Sequence, residues 1–174
     1  MTVGGKTSSL PLLVTMDPRV RIGAEALAQQ FALSMQCYDG LRQAREAAGQ
    51  VQKLRAKVNE LRAKTKDEPL AGALAELEQK LAALEGAQRR RGERPGPGTV
   101  PREPAFARTA ADLQHLLDLL QGTDAAPTTQ AVAACEQARQ ALDGLLSRWG
   151  ALRDKDLKDL NKQLRKAGLP LLGE

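Results

Sequence analysis

The 174-residue sequence has few aromatic residues and no long apolar run. Phe, Trp and Tyr together make up 2% of the chain, so a hydrophobic core has to be built mainly from Leu and Ala. These residues pack well between helices, whereas sandwiches and barrels are filled by β-branched and aromatic residues. No run of about eighteen apolar residues occurs, so no membrane-spanning helix is predicted. The composition therefore indicates an all-α protein.

Cysteine and histidine are also too scarce for most metal or catalytic sites. Cys37 and Cys135 form no metal-binding motif, and His115 has no partner at ligand spacing. His115 falls between core positions of a predicted helix, with no nucleophile or carboxylate pair in a recognisable relation to it, which indicates a boundary histidine and not a general base. We therefore predict no enzymatic activity and no catalytic, cofactor-binding or metal-binding residues.

Charged residues make up 27% of the chain and are mostly interleaved by sign, which is typical of solvated helix faces. The net charge of +5 is locally concentrated in the Arg89–Arg94 run. No signal peptide is predicted, because Met1–Ser9 is polar and the apolar segment Leu10–Met16 is short and interrupted by Pro11.

The longest periodic segment runs from about Gly23 to Lys64 and contains no proline. Ala, Leu, Gln and Arg dominate it, which favours one continuous amphipathic helix. At 1.5 Å per residue this helix is expected to be roughly 60 Å long, so other elements have to cover it. Its apolar stripe is predicted, in steps of three and four, at Leu27, Phe31, Ser34, Tyr38, Leu41, Ala44, Ala48, Val51, Leu54, Val58 and Leu61.

Two helices are predicted in the middle of the chain. The first spans about 69–87 and is expected to form an antiparallel hairpin with the long helix, because its leucines repeat in steps of four and three. The second is opened by a capping box formed by Thr109 and Asp112 and ends near Gln121. Its inward positions are predicted at Leu113, Leu116, Leu117 and Leu120.

Two further helices are predicted near the C-terminus. One runs from position 128 or 129 to about 152 and turns Cys135 and Trp149 towards the core. The last is capped by Asp154 and ends at Gly168, with Pro170 following. For the cysteines two states stay open: a pair of buried free thiols, which we favour, or a disulfide between adjacent helices.

These segments predict an all-α antiparallel bundle of three to five helices, spanning residues 20–174 and built on the long N-terminal helix. A flexible linker, rich in Pro, Gly and Arg, is predicted to interrupt it at residues 89–104. Residues 1–19 are predicted to be extended. Leu10–Met16 is expected to be a short strand, either a strap along the helices or the last strand of a missing upstream domain.

Four segments resemble the C-terminal region of large bacterial secreted proteins with sortilin-like or BNR-repeat, glycosyl hydrolase-like β-propellers. These segments are Met16–Val20, Gln30–Leu33, Asp124–Val132 and Leu160–Pro170. The resemblance covers only the terminal helical region of such proteins, since the chain has neither propeller repeats nor the paired acids of a glycosidase. It implies a secreted or periplasmic location and an upstream β-propeller as a partner.

The function expected from these observations is a non-catalytic helical interaction or scaffolding module, with a protein partner or self-association through the long helix. Two alternatives are a basic binder of nucleic acid or anionic surfaces through the Arg89–Arg94 run, and part of a glycoside hydrolase. Nucleic-acid binding is disfavoured because no aromatic residues interleave with the arginines. Acid pairs such as Glu76 with Glu78, or Asp154 with Asp156, point to different helix faces and do not suit a glycosidase.

Overall fold

The computed structural model describes residues 2–7, 9–65, 67–86 and 103–173, and these are overwhelmingly helical. The all-α prediction is confirmed. The elements in chain order are β1 (Thr2–Val3), β2 (Lys6–Thr7), α1 (Ala24–Lys64), α2 (Glu68–Glu85), α3 (Phe106–Gln121), α4 (Thr129–Ala151), a π-helical segment (Leu152–Leu157) and α5 (Lys158–Lys166).

Helix α1 is the element on which the others pack. It begins after Gly23, whose extended backbone precedes the first turn, and ends at Thr65, whose backbone N–H donates to the Leu61 carbonyl. Its contacts are mainly with α3, α2 and α4. One face of α1 is buried from Ser34 onwards, at Ser34, Cys37, Leu41, Ala44, Ala47, Val51, Leu54, Val58 and Leu61.

Helix α2 folds back on the second part of α1, as predicted from its leucine repeat. All five seam leucines are buried, namely Leu70, Leu74, Leu77, Leu81 and Leu84. Beside this seam, Arg55 of α1 reaches two carboxylates of α2, with Nη2 2.7 Å from Glu78 Oε1 and Nη1 2.6 Å from Glu85 Oε2. These partly exposed ion pairs fix the register of the hairpin and add little stability each.

Helices α3 and α4 cover the first part of α1. A Cβ built on Gly40 of α1 would lie 3.2 Å from Leu113 of α3 and 3.3 Å from Leu142 of α4. The backbone of α1 therefore approaches both helices closely at this point. The side chain of Gln30 donates to the backbone carbonyls of Leu120 and Thr123, which ties the end of α3 to the start of α1.

The predicted break before Asp154 is wrong, because α4 continues into α5 without interruption from Thr129 to Lys166. Leu152 and Leu157 lie five residues apart and are both buried, at 4% and 8% exposure. In an α-helix that spacing would turn one of them outwards, but the wider π-helical turn keeps both on the buried face. Asp154 lies inside this segment and pairs with Lys158 at 3.4 Å.

The start of α3 also differs from the prediction. The helix begins at Phe106, so Thr109 lies within its first turns at 3% exposure and is not the cap. Phe106 is fully buried, and its burial favours helix one turn earlier than the Thr109 box indicates. Ala105 precedes the helix and meets Gly86, where an added Cβ would lie 2.5 Å from the Cβ of Ala105.

The C-terminal stop is where the sequence predicts it. Gly168 has φ +69°, and the N–H of Leu169 donates to the Leu164 carbonyl, as in a glycine C-cap. The chain beyond is held by Asn161, whose amide donates to the Leu172 carbonyl and accepts from the Leu172 N–H, both at 2.8 Å. Leu172 is 2% exposed, so the tail closes part of the core.

The strand predicted at Leu10–Met16 is not formed, and its apolar side chains are exposed instead of lying along the helices. The strands that do form, β1 and β2, pair antiparallel across Gly4 and Gly5, which have φ +56° and +76°. Two glycines with positive φ are what a tight hairpin turn requires. The linker predicted at 89–104 lies outside the described residues, apart from Glu103 and Pro104, which are exposed.

Candidate functional site

The first third of α1 carries large apolar side chains on an exposed face beside its buried stripe. Phe31 is 69% exposed, Tyr38 51% and Met35 41%, and Ala28 on the same face is also exposed. Their spacing of three, four and three residues places them in one line along the helix. We call these four residues the outward seam.

The outward seam lies in a segment without charge. From Ala26 to Tyr38 the helix contains no Asp, Glu, Lys or Arg, in a chain whose residues are 27% charged. Beyond Tyr38 the exposed positions of α1 are charged or polar, except for Ala56 and Ala63. The apolar surface is therefore confined to one end of the helix and is contiguous there, which is typical of an interaction surface.

The sequence prediction placed Phe31 and Tyr38 on the buried stripe, and the structure corrects both. Cys37, next to Tyr38, is buried instead at 1% exposure, and Ala47 is buried at 4% where Ala48 was predicted; Ala48 itself is half-buried. The two alternatives have the same periodicity, so spacing alone does not separate them. The side of α1 that faces its neighbours is that of Gly40, which meets Leu113 and Leu142, and of Cys37, whose sulfur lies 3.5 Å from that of Cys135.

A second exposed apolar segment precedes α1. Leu10, Leu12, Leu13 and Val14 are between 83% and 91% exposed, and Met16 is 46% exposed. The segment has no regular secondary structure, and its residues contribute nothing to the hydrophobic core. It lies within the predicted extended region at 1–19 and is a second apolar surface at the same end of the chain as the outward seam.

Cys37 and Cys135 are brought together by the packing of α1 on α4. Their sulfur atoms lie 3.5 Å apart, and both side chains are buried free thiols, as the sequence favoured. Burial raises the pKa of the Cys37 thiol to about 12, and the hydrogen bond with Cys135 adds to this effect. Cys37 is therefore a neutral packing residue in the folded chain, and Cys135 packs against it in the core.

Trp149 anchors the other end of the α1–α4 contact, in agreement with its predicted place on the α4 seam. It is 6% exposed, and its Nε1 donates to Gln50 Oε1 of α1 at 3.2 Å. The Arg153 guanidinium lies 5.6 Å from the centroid of the ring, within cation–π range. Shallow grooves flank the ring and are lined partly by Gln50 and Arg153.

Three of the four acids considered for a glycosidase, Glu78, Asp154 and Asp156, form ion pairs with basic residues. Glu78 is paired with Arg55, and Asp156 lies 2.5 Å from Lys80, which links the π-helical segment to α2. His115 is exposed on α3. Among the described residues no three His, Cys, Asp or Glu side chains are grouped so that they would hold a metal ion.

Within the described part of the chain, no helix combines the length and apolar character needed to cross a membrane.

Comparison with protein-family models, with curated proteins and with solved structures finds no match for this chain. The origin next to a sortilin-like or BNR-repeat β-propeller therefore stays a prediction, as do the secreted or periplasmic location and the absence of enzymatic activity.

Proposed function

We propose that the chain is a non-catalytic helical interaction module whose outward seam binds a second helix. One observation carries the proposal: α1 has an exposed, uncharged seam at coiled-coil spacing, beside a separate face that is already buried by α3 and α4. A helix buried on one side needs only polar residues on the other, so a second apolar seam requires its own explanation.

The proposed partner is a second copy of this chain. Phe31 and Tyr38 lie one turn on either side of Met35, so the seam is nearly symmetrical about Met35. In an antiparallel pair of such helices, Phe31 of each copy faces Tyr38 of the other across a central Met35 contact. A two-fold interface requires this kind of self-complementary patch, and the uncharged segment avoids repulsion between identical copies.

The apolar area of the outward seam indicates what kind of interface it can form. A Phe or Tyr ring buries about 150–250 Å² when fully covered, so at their observed exposures the two rings offer about 250 Å² per copy. Met35 and Ala28 add to this, but the helix pair alone stays below the roughly 1,200 Å² of a stable interface. The seam therefore supports a transient dimer, and the exposed Leu10–Met16 segment is the apolar surface able to enlarge it.

Sedimentation equilibrium of the full chain, from micromolar to near-millimolar concentration, tests the proposal. Wild type should show a mass that rises with concentration. The double variant Phe31→Ser/Tyr38→Ser should stay monomeric with an unchanged helical circular dichroism spectrum, since both side chains are exposed. Leu119→Ser is the matched control, because Leu119 is 53% exposed on α3 outside the seam and its loss should leave association intact.

Two results would contradict self-association through the seam. The first is a wild-type chain that stays monomeric over the whole concentration range. The second is a dimer that the double variant does not weaken or that Leu119→Ser weakens equally. Deleting residues 1–16 should weaken association if the N-terminal apolar segment contributes to the interface.

The other functions expected from the sequence also stay predictions. The appendage role beside a β-propeller depends on the resemblance alone. Binding of nucleic acid or anionic surfaces depends on Arg89–Arg94, which lies outside the described residues; salt-dependent binding to duplex or anionic vesicles is its test. A panel of chromogenic glycosides tests the prediction of no enzymatic activity. Hydrolysis that is abolished by changing one acidic residue would contradict it.

A further inference from the structure

We propose that Cys37 and Cys135 form a redox-sensitive cross-link: a small-molecule disulfide oxidises them to an intramolecular disulfide that links α1 to α4. This inference is independent of the outward seam. It depends on the position of two sulfur atoms in the core and on the packing that holds them there.

The two thiols are placed for bond formation by elements far apart in the sequence. Their residues are 98 positions apart, yet the sulfur atoms are 3.5 Å from each other. A disulfide bond is about 2.05 Å long, so the sulfurs have to approach by about 1.5 Å. A movement of that size is within the reach of small side-chain rotations, without separating the helices.

The surroundings of the pair allow that approach. Gly40, one turn after Cys37, holds α1 close to Leu142 of α4. The α4 side of the contact is also lined by small residues, since Ala131 and Ala138 flank Cys135 on the same seam. Small residues on both helices keep the backbones close, which a disulfide between helices requires.

The chemistry is an ordinary double thiol–disulfide exchange. The thiolate of one cysteine attacks a sulfur of glutathione disulfide, which forms a mixed disulfide and releases one glutathione thiolate. The thiolate of the second cysteine then attacks the protein sulfur of the mixed disulfide and displaces the second glutathione. In total the two cysteines lose two protons and two electrons, and one glutathione disulfide becomes two glutathione thiols.

Burial of the two thiols makes this disulfide slow to form. Cys37 and Cys135 are 1% and 4% exposed, so the oxidant reaches them only when the helices part transiently. The raised pKa of Cys37 keeps nearly all of it as unreactive thiol at neutral pH. The same burial then protects the closed disulfide from reductants, so both states are long-lived.

The test uses the full chain, incubated with glutathione disulfide at mildly alkaline pH. The expected product has lost the mass of two hydrogen atoms, exposes no thiol on unfolding without reductant, and yields one non-reduced peptide joining Cys37 to Cys135. Closing a loop of about 100 residues should lower the equilibrium constant of unfolding by roughly three orders of magnitude. Adding a reductant after unfolding should restore both thiols.

The variants Cys37→Ser and Cys135→Ser are the controls, with Cys37→Ala and Cys135→Ala in their place if a hydroxyl prevents folding. Their remaining thiol should end as a mixed disulfide with glutathione, which shows that the oxidant reaches the site. Under conditions that modify these variants completely, a wild type with two free thiols, two mixed disulfides or a disulfide between copies would overturn the proposal.

Discussion

Replacing Trp149 by Ala should destabilise the bundle more than any exposed substitution. Trp149 is 6% exposed and is the only tryptophan in the chain. Truncating a buried Trp to Ala costs about 3–5 kcal/mol, through lost apolar burial and the cavity left behind. A domain of this size is stable by about 5–15 kcal/mol, so the variant should lose about a fifth or more of its free energy of unfolding.

A second variant, Trp149→Phe, separates packing from hydrogen bonding. It keeps most of the apolar bulk but removes the indole N–H that donates to Gln50 at 3.2 Å. Gln50 is exposed, so its oxygen can turn to water and does not stay buried without a partner. We expect a loss of about 1–2 kcal/mol, which combines one hydrogen bond and a partial cavity.

Guanidinium chloride denaturation, followed by circular dichroism at the helical band, measures both variants without relying on tryptophan fluorescence. The order expected for the free energy of unfolding is wild type, then Trp149→Phe, then Trp149→Ala, at an unchanged denaturant dependence. A Trp149→Ala variant whose free energy of unfolding lies within about 1 kcal/mol of wild type would refute the reasoning, because truncating a fully packed ring costs more than that.

Three other predictions follow from single contacts. Gly86→Ala should destabilise by about 2 kcal/mol, since Gly86 has φ +77°, whereas Gly72→Ala, in an open helical position of α2, should be neutral or stabilising by up to about 1 kcal/mol in the same denaturation assay. Asn161→Ala should cost about 1–2 kcal/mol by removing both hydrogen bonds to Leu172, and should speed amide exchange at the Leu172 N–H. Because the folded pKa of Cys37 is raised from 9.0 to about 12, its contribution to stability is complete below pH 9 and is lost as pH rises towards 12. Wild type should therefore lose stability more steeply over that range than Cys37→Ala; equal slopes would contradict the assignment.

Much of the fold could be predicted from the sequence because its helices are marked by local chemistry. The leucine repeat of α2, the start of α4 predicted at position 128 or 129 and the Gly168 stop each depend on residues within a few positions of one another. Thr128 does accept a hydrogen bond from the Ala131 N–H at 3.1 Å, as a cap should. The scarcity of aromatic residues likewise favoured helices over sheets before any contact was known.

The candidate site could be predicted only in part. The sequence placed Cys37 and Cys135 in a shared core but could not decide how far apart their sulfur atoms lie. The two residues are 98 positions apart, and the distance between their sulfurs depends on the register in which α1 packs on α4. The outward seam was missed, since Phe31 and Tyr38 fit the buried periodicity as well as Cys37 and Ala47 do. Their uncharged surroundings, from Ala26 to Tyr38, were the signal available in the sequence.

The sequence by itself determined the helical class, the long first helix and most of the residues that face its neighbours, because periodicity and caps act within a few turns. The tertiary structure alone decided which of two equally periodic faces is buried, that α4 runs through a π-helical segment into α5, and that α3 starts at Phe106. Each of these depends on the volume left between helices that are distant in sequence. At Gly40 and Cys37 the helix α1 lies against α3 and α4, and Phe31 and Tyr38 lie outside that contact.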